Sequence, residues 1–200
     1  MKSKTIKILI ITLIIVLVIL GSLCIIDHIK MKNNEHVIFS TWGKKYAQAM
    51  EISSEKIVSM YKTIIDDLIK NHNTVYPSDQ YISLDVNSLK APNQNSKKDY
   101  RKLTEEEQNE LLKYCKNYHE EVKNLSIEEL KERGFNKGNE TFIELEGALL
   151  RVIKIEKLTE NKAVIWFQSF HTGLGAVMPK YELNYKNGEW SINVREMAVS

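Results

Sequence analysis

The chain has 200 residues, of which 28 are basic and 26 acidic, a formal charge of +2 at pH 7. Setting aside Lys2, Lys4 and Lys7, which precede a long uncharged run, leaves 25 basic against 26 acidic residues, a net of −1. That balance lacks the basic footprint of a nucleic-acid binder. With Cys24 inside the apolar run and Cys115 alone outside it, no internal disulfide is available, so the remainder must be held by its core.

Residues 8–26 form a run of 19 without a charge, nearly all Ile, Leu and Val. About 18 such residues suffice for a membrane-spanning helix, whereas the apolar part of a secretory signal is about 7–15. Leu20 and Leu23 spoil the small-residue positions that signal cleavage needs. Cys24 is a candidate lipidation site, but the bulky Leu23 stands where a lipid-attachment motif has a small residue. The reading is therefore an uncleaved anchor. Lys2, Lys4 and Lys7 place the N-terminus in the cytoplasm. Residues 1–32 are the cytoplasmic tip, anchor and juxtamembrane segment, and residues 33–200 an extracytoplasmic domain.

In chain order, 35–72 reads as a helix, with Ile57, Val58, Tyr61, Ile64, Ile65, Leu68 and Ile69 at helical spacing. "YISLDV" (81–86) alternates and predicts a short strand. The polar stretch 87–102, with Pro92 and the cationic "NSKKDYRK", reads as a solvated loop. Thr104 to Glu107 and Ser126 to Glu129 are capping boxes that open two further helices, and Gly134 ends the second. The helical part thus spans 35–133.

From 142 to 197 the pattern turns to strands. "KYELNYKNGEWSINVR" centres on Asn187-Gly188, the preferred two-residue hairpin turn. That turn pairs Tyr185 with Trp190, Leu183 with Ile192 and Tyr181 with Val194, leaving the charged residues on the other face. A second hairpin turns at 159–162. The expected architecture is α+β: an N-terminal transmembrane helix, then helices packed on a four-stranded antiparallel meander.

A helical half followed by a meander ending in "YELNYKNGEW-I-V" resembles the extracytoplasmic domains of the nuclear-transport-factor-like and cystatin-like superfamilies. Small membrane-anchored bacterial proteins carry such domains, and the Lys/Ile/Asn-rich usage is bacterial in character. The resemblance covers the last 60 or so residues best. It implies a curved sheet that encloses a pocket against the helices, and carries no catalytic motif.

Candidate chemistry is sparse. "HTGLGAVMP" lacks the third glycine and the following helix of a dinucleotide site. His28, His36, His72, His119 and His171 show no metal-ligand spacing. Asp66-Asp67 and Glu105 to Glu107 read as helix-surface and capping residues. Neither a catalytic set nor a cofactor is expected. Pairing Leu158 with Ala163 sets Ile155 against Trp166, Ile153 against Gln168 and Arg151 against Phe170. Arg151 and Gln168 then intrude on an apolar face. Either Arg151 snorkels over Phe170 at an exposed sheet end, or Arg151, Trp166, Gln168 and His171 line a pocket for a polar or anionic ligand. The expected function is a non-catalytic binding or accessory module at the membrane, facing a small polar molecule or a protein partner. The alternatives are a pocket enzyme on the same fold and a protein-facing immunity or assembly factor.

Overall fold

The computed structural model describes residues 38–93, 96–139 and 142–199. The chain divides into two compact units, 1–52 and 53–200. In the first, the described part is the helical backbone of 38–52. The apolar run 8–26 and Cys24 lie outside the described residues. Among the described residues no helix is long and apolar enough to cross a membrane.

Helix α1 spans Ile38–Lys70. Its apolar residues from 57 onward share one face, as their three- and four-residue spacing requires, and Ile57, Val58, Tyr61, Ile64, Ile65 and Leu68 are buried. The strands are β1 (Ile82–Leu84), β2 (Lys90–Asn93), β3 (Ser96–Lys102), β4 (Val122–Lys123), β5 (Glu144–Leu158), β6 (Lys162–Thr172), β7 (Gly175–Lys186) and β8 (Glu189–Val199). Helices α2 (Glu105–Cys115) and α3 (Ile127–Glu132) both open on reciprocal capping boxes, Thr104 with Glu107 and Ser126 with Glu129.

The expected four-stranded antiparallel meander is corrected by this topology. β5 to β8 are antiparallel, but they belong to a six-stranded mixed sheet ordered β4-β1-β5-β6-β7-β8. β1 lies parallel to both β4 and β5, with Ile82 beside Val122 and Ala148. The polar stretch read as a loop is a separate antiparallel ribbon, β2–β3, pairing Pro92 with Tyr100 and Ala91 with Arg101. The reason is burial: Tyr81, Ile82, Ser83 and Leu84 are all buried, so β1 is an inner strand covered on both faces. Ser83 secures that position, donating its hydroxyl to the Leu125 carbonyl at 2.8 Å and accepting the Leu125 N–H at 3.2 Å. Gly147 allows β1 to approach β5, because a Cβ there would lie 2.3 Å from the Tyr81 carbonyl oxygen.

One face of the sheet packs on α1, α2 and the ribbon. Leu150, Ala163, Ile165, Phe167, Tyr181, Leu183 and Trp190 meet Ile57, Tyr61, Ile64, Leu68, Leu111 and Cys115 in this main core. Each Leu, Ile or Phe among them contributes about 1.5–3 kcal/mol by leaving water. The outer face is covered at one end only, where Tyr81, Leu149 and Phe170 pack on Leu125, Ile127 and Leu130. Its other end is a lattice of charge: Glu182 meets Lys162 and Arg195, each at 2.6 Å, and Lys180 meets Glu156 at 3.1 Å and Glu196 at 3.2 Å.

The Asn187-Gly188 hairpin has positive φ at both residues, 55° and 90°. Its register pairs Tyr185 with Trp190, Leu183 with Ile192 and Tyr181 with Val194. Pairing of β6 with β7 runs to Trp166 beside Lys180 and resumes at Ser169 beside Val177, skipping Pro179, which has no N–H to donate.

Candidate functional site

Leu158 pairs with Ala163 as expected, but irregularities between Val152 and Lys154 and between Ile155 and Lys157 shift the rest of the ladder. Lys154 rather than Ile155 stands beside Trp166, and Arg151 stands beside Gln168 rather than Phe170. The extra residues bring Leu150, Val152, Ile155 and Leu158 to the core side despite their uneven spacing, and leave Ile153 exposed.

Arg151 and Gln168 therefore touch: the Arg151 Nε donates to the Gln168 Oε1 at 2.8 Å. Trp166, two residues from Gln168 on the same face of β6, donates its indole N–H to Glu156 at 3.0 Å, with Lys180 5.6 Å from the ring centroid. The bonds from Trp166 and Lys180 hold the Glu156 carboxyl down at about 2. Three of the four expected residues thus share the outer face, at the border between its apolar and charged halves. His171 is not with them. It is on the opposite face, its Nε2 3.1 Å from Asp79 Oδ2 and its ring 4.9 Å from that of Tyr76. His119 lies beyond α2 with its Nε2 3.0 Å from the Asp79 carbonyl. These two histidines anchor the segment between α1 and β1. Among the described residues no group of three or more His, Cys, Asp or Glu is placed to hold a metal ion.

A second constellation joins α1 to α2. The Asp66 Oδ1 accepts the hydroxyls of Tyr114, at 2.6 Å, and Tyr118, while its Oδ2 accepts Lys70 at 2.9 Å. Burial works to raise the Asp66 carboxyl, but the two phenols and the ammonium outweigh it and hold it below its ordinary value. The phenols move the other way: burial, then donation to Asp66, raises both, Tyr118 to about 12. Next to this knot an open hollow of about 450 Å³ is lined by Lys62, Glu110, Lys113, Tyr114, Lys116 and Asn117. Lys62 is committed, 2.6 Å from Glu110 and 5.2 Å from the Tyr114 centroid. Lys113 and Lys116 are exposed, and neither forms an ion pair with a described residue, although Lys116 lies near enough to lower the Glu121 carboxyl after Lys123.

The hollow escaped sequence reasoning because its lysines look like any solvated helix face. Tyr114 and Tyr118, four apart, were the available signal: two aromatic residues on one stripe of a polar helix need a common partner. Asp66-Asp67, read as a surface run, is that partner in part; Asp67 is turned inward, 3.2 Å from His72. No family model, curated protein or solved structure matches the chain, so function rests on this geometry.

Proposed function

We propose that the chain is a membrane-anchored extracytoplasmic binding module whose ligand is a small anion, or an anionic group on a partner, received in the hollow between α1 and α2. One observation carries the reading: three lysines and a single carboxylate line a hollow of about 450 Å³, and two of those lysines, Lys113 and Lys116, form no ion pair with a described residue. That volume lies in the range of about 300–1,000 Å³ usual for small-molecule sites. The Tyr114 hydroxyl is held by Asp66, so the wall is pre-organised, and the Asn117 amide adds a donor for a second ligand oxygen. Asp66, Asp79 and Glu107 each join two segments of the fold through a base or a phenol, which favours binding over catalysis. The apolar run 8–26 and the lysines before it support the membrane placement.

The test is titration of the full chain in nonionic detergent with citrate and with tripolyphosphate, beside the variant Lys113→Gln/Lys116→Gln. The reading expects saturable binding of one probe, weakened about tenfold or more in the variant and by rising salt. Binding equal in the two proteins, or no binding of either probe, overturns it.

A further inference from the structure

The two edges of the six-stranded sheet are unlike. β4 ends one side with Val122–Lys123 alone, a length that offers nothing to pair with. β8 ends the other with residues 189–199, and it contains no proline and no lysine. Edge strands of that length normally carry such residues, because a row of free N–H and C=O groups invites another strand.

The side chains of β8 sharpen the point. Ile192 pairs with Leu183, Val194 with Tyr181, Met197 with Pro179 and Val199 with Val177, so all four face the core side of the sheet. Ile192 and Val194 pack against the main core, but Met197 and Val199 are 44% and 70% exposed. Their spacing, two, then three, then two, is uneven because the register shifts between Lys180 and Tyr181, leaving Arg195 as the extra residue. Arg195 and Glu196 both point to the outer face, where they meet Glu182 and Lys180.

That extra residue makes the strand self-complementary. In an antiparallel pair of identical strands, directly opposite residues must share a face. With the twofold axis between residues 195 and 196, Val194 faces Met197 of the second copy and Ile192 faces its Val199, apolar against apolar on the core side. On the outer face Arg195 faces Glu196 of the second copy, and the reverse, so opposite charges meet twice. Without the bulge this register would set core-side residues against outer-face ones.

We propose that β8 is a homodimer edge: two copies of this chain pair antiparallel in that register, continuing the sheet from one into the other and covering Met197 and Val199. The interface is isologous, as a twofold pair requires. It is independent of the lysine-lined hollow.

The experiment uses the full chain in nonionic detergent, on a Cys24→Ser background that removes the other candidate for cross-linking; Cys115 is buried and stays. Asn193→Cys/Ala198→Cys places thiols opposite each other across the proposed axis. Within one chain, five residues of strand, about 16 Å, separate them, too far for a bridge. Mild oxidation is expected to give a covalent dimer on a non-reducing gel, whereas Ser191→Cys/Ala198→Cys, out of register, gives little. Sedimentation of the uncrosslinked chain is expected to show a dimer that Met197→Asp/Val199→Asp weakens about tenfold or more with an unchanged circular dichroism spectrum. A monomer at micromolar concentration leaves the edge to another protein's strand and overturns the proposal. So does equal cross-linking by the two cysteine pairs, or a dimer indifferent to the aspartates.

Discussion

Glu107 accepts from the ribbon, from α1 and from the cap of α2, and its removal is the sharpest test of what holds these three together. The side chain is 1% exposed. It accepts the two terminal nitrogens of Arg101 at 2.7 and 2.6 Å, the Ser54 hydroxyl at 2.7 Å and the Thr104 N–H at 2.7 Å. Burial acts to raise its pKa, and these donors reverse that and lower it. Breaking a buried pair by deleting one partner costs about 3–5 kcal/mol. The Arg101 side chain is 33% exposed and regains some water, which places Glu107→Ala at the lower end, about 3 kcal/mol, with about 1 kcal/mol of that from the lost cap. Arg101→Ala also destabilises, since it leaves the acid buried beside weaker donors. The double variant then costs less than the sum of the two, with a coupling of about 2 kcal/mol. Urea unfolding followed by tryptophan fluorescence reads this out, because Trp190 is buried and donates its indole N–H to the Lys56 carbonyl at 2.8 Å. A cost under about 1 kcal/mol for Glu107→Ala, the value of a solvent-exposed pair, would refute the account, as would additive single variants.

Asp66 and Glu107 both have carboxyls lowered in the folded state. Their stabilisation is therefore fully present above the ordinary carboxyl range, about pH 4–4.5, and is lost as pH falls through their folded values. Urea midpoints should hold steady from about pH 7 to 5 and drop below about pH 4, and Asp66→Asn/Glu107→Gln should flatten that acid limb; an unaltered limb in the variant would exclude these two groups as its cause. Gly147→Ala forces a methyl to within 2.3 Å of the Tyr81 carbonyl oxygen and 2.9 Å of its ring. Such overpacking costs about 1–3 kcal/mol, and each kcal/mol lowers Tm by about 2–4 °C in a chain of this size. An unshifted Tm would mean that β1 does not sit where the parallel pairing puts it.

The candidate site was legible only in fragments. Arg151 and Gln168 stood out as polar intruders, and they do touch, but by way of bulges that simple alternation cannot foresee. His171, expected with them as polar pocket lining, lies by strand alternation on the opposite face, against Asp79. The lysine-lined hollow needed the packing of α1 on α2, which brings together Lys62 and Glu110, 48 residues apart in the chain, before its walls existed at all.

What the amino-acid sequence determined alone are features whose causes are local. Thr104 with Glu107 and Ser126 with Glu129 cap helices because each side chain reaches a backbone N–H three residues away. Asn187-Gly188 makes a hairpin because both residues accept positive φ, and the turn then dictates the register from Tyr181 to Val194. The stripe from Ile57 to Leu68 is a helix face because its spacing follows 3.6 residues per turn. The tertiary structure alone decided which strands meet. Residues 81–86 show the same alternation whether they lie at an edge or at the centre of a sheet, and only the helix and sheet layers closing over both faces made β1 an inner, parallel strand. Likewise Lys90 to Lys102 reads as polar loop until Arg101 finds a buried carboxylate and Tyr61 bridges the Lys90 backbone, its hydroxyl donating to the carbonyl at 2.7 Å and accepting the N–H at 2.9 Å. Pairings of that kind depend on partners far away in the chain, and no local pattern encodes them.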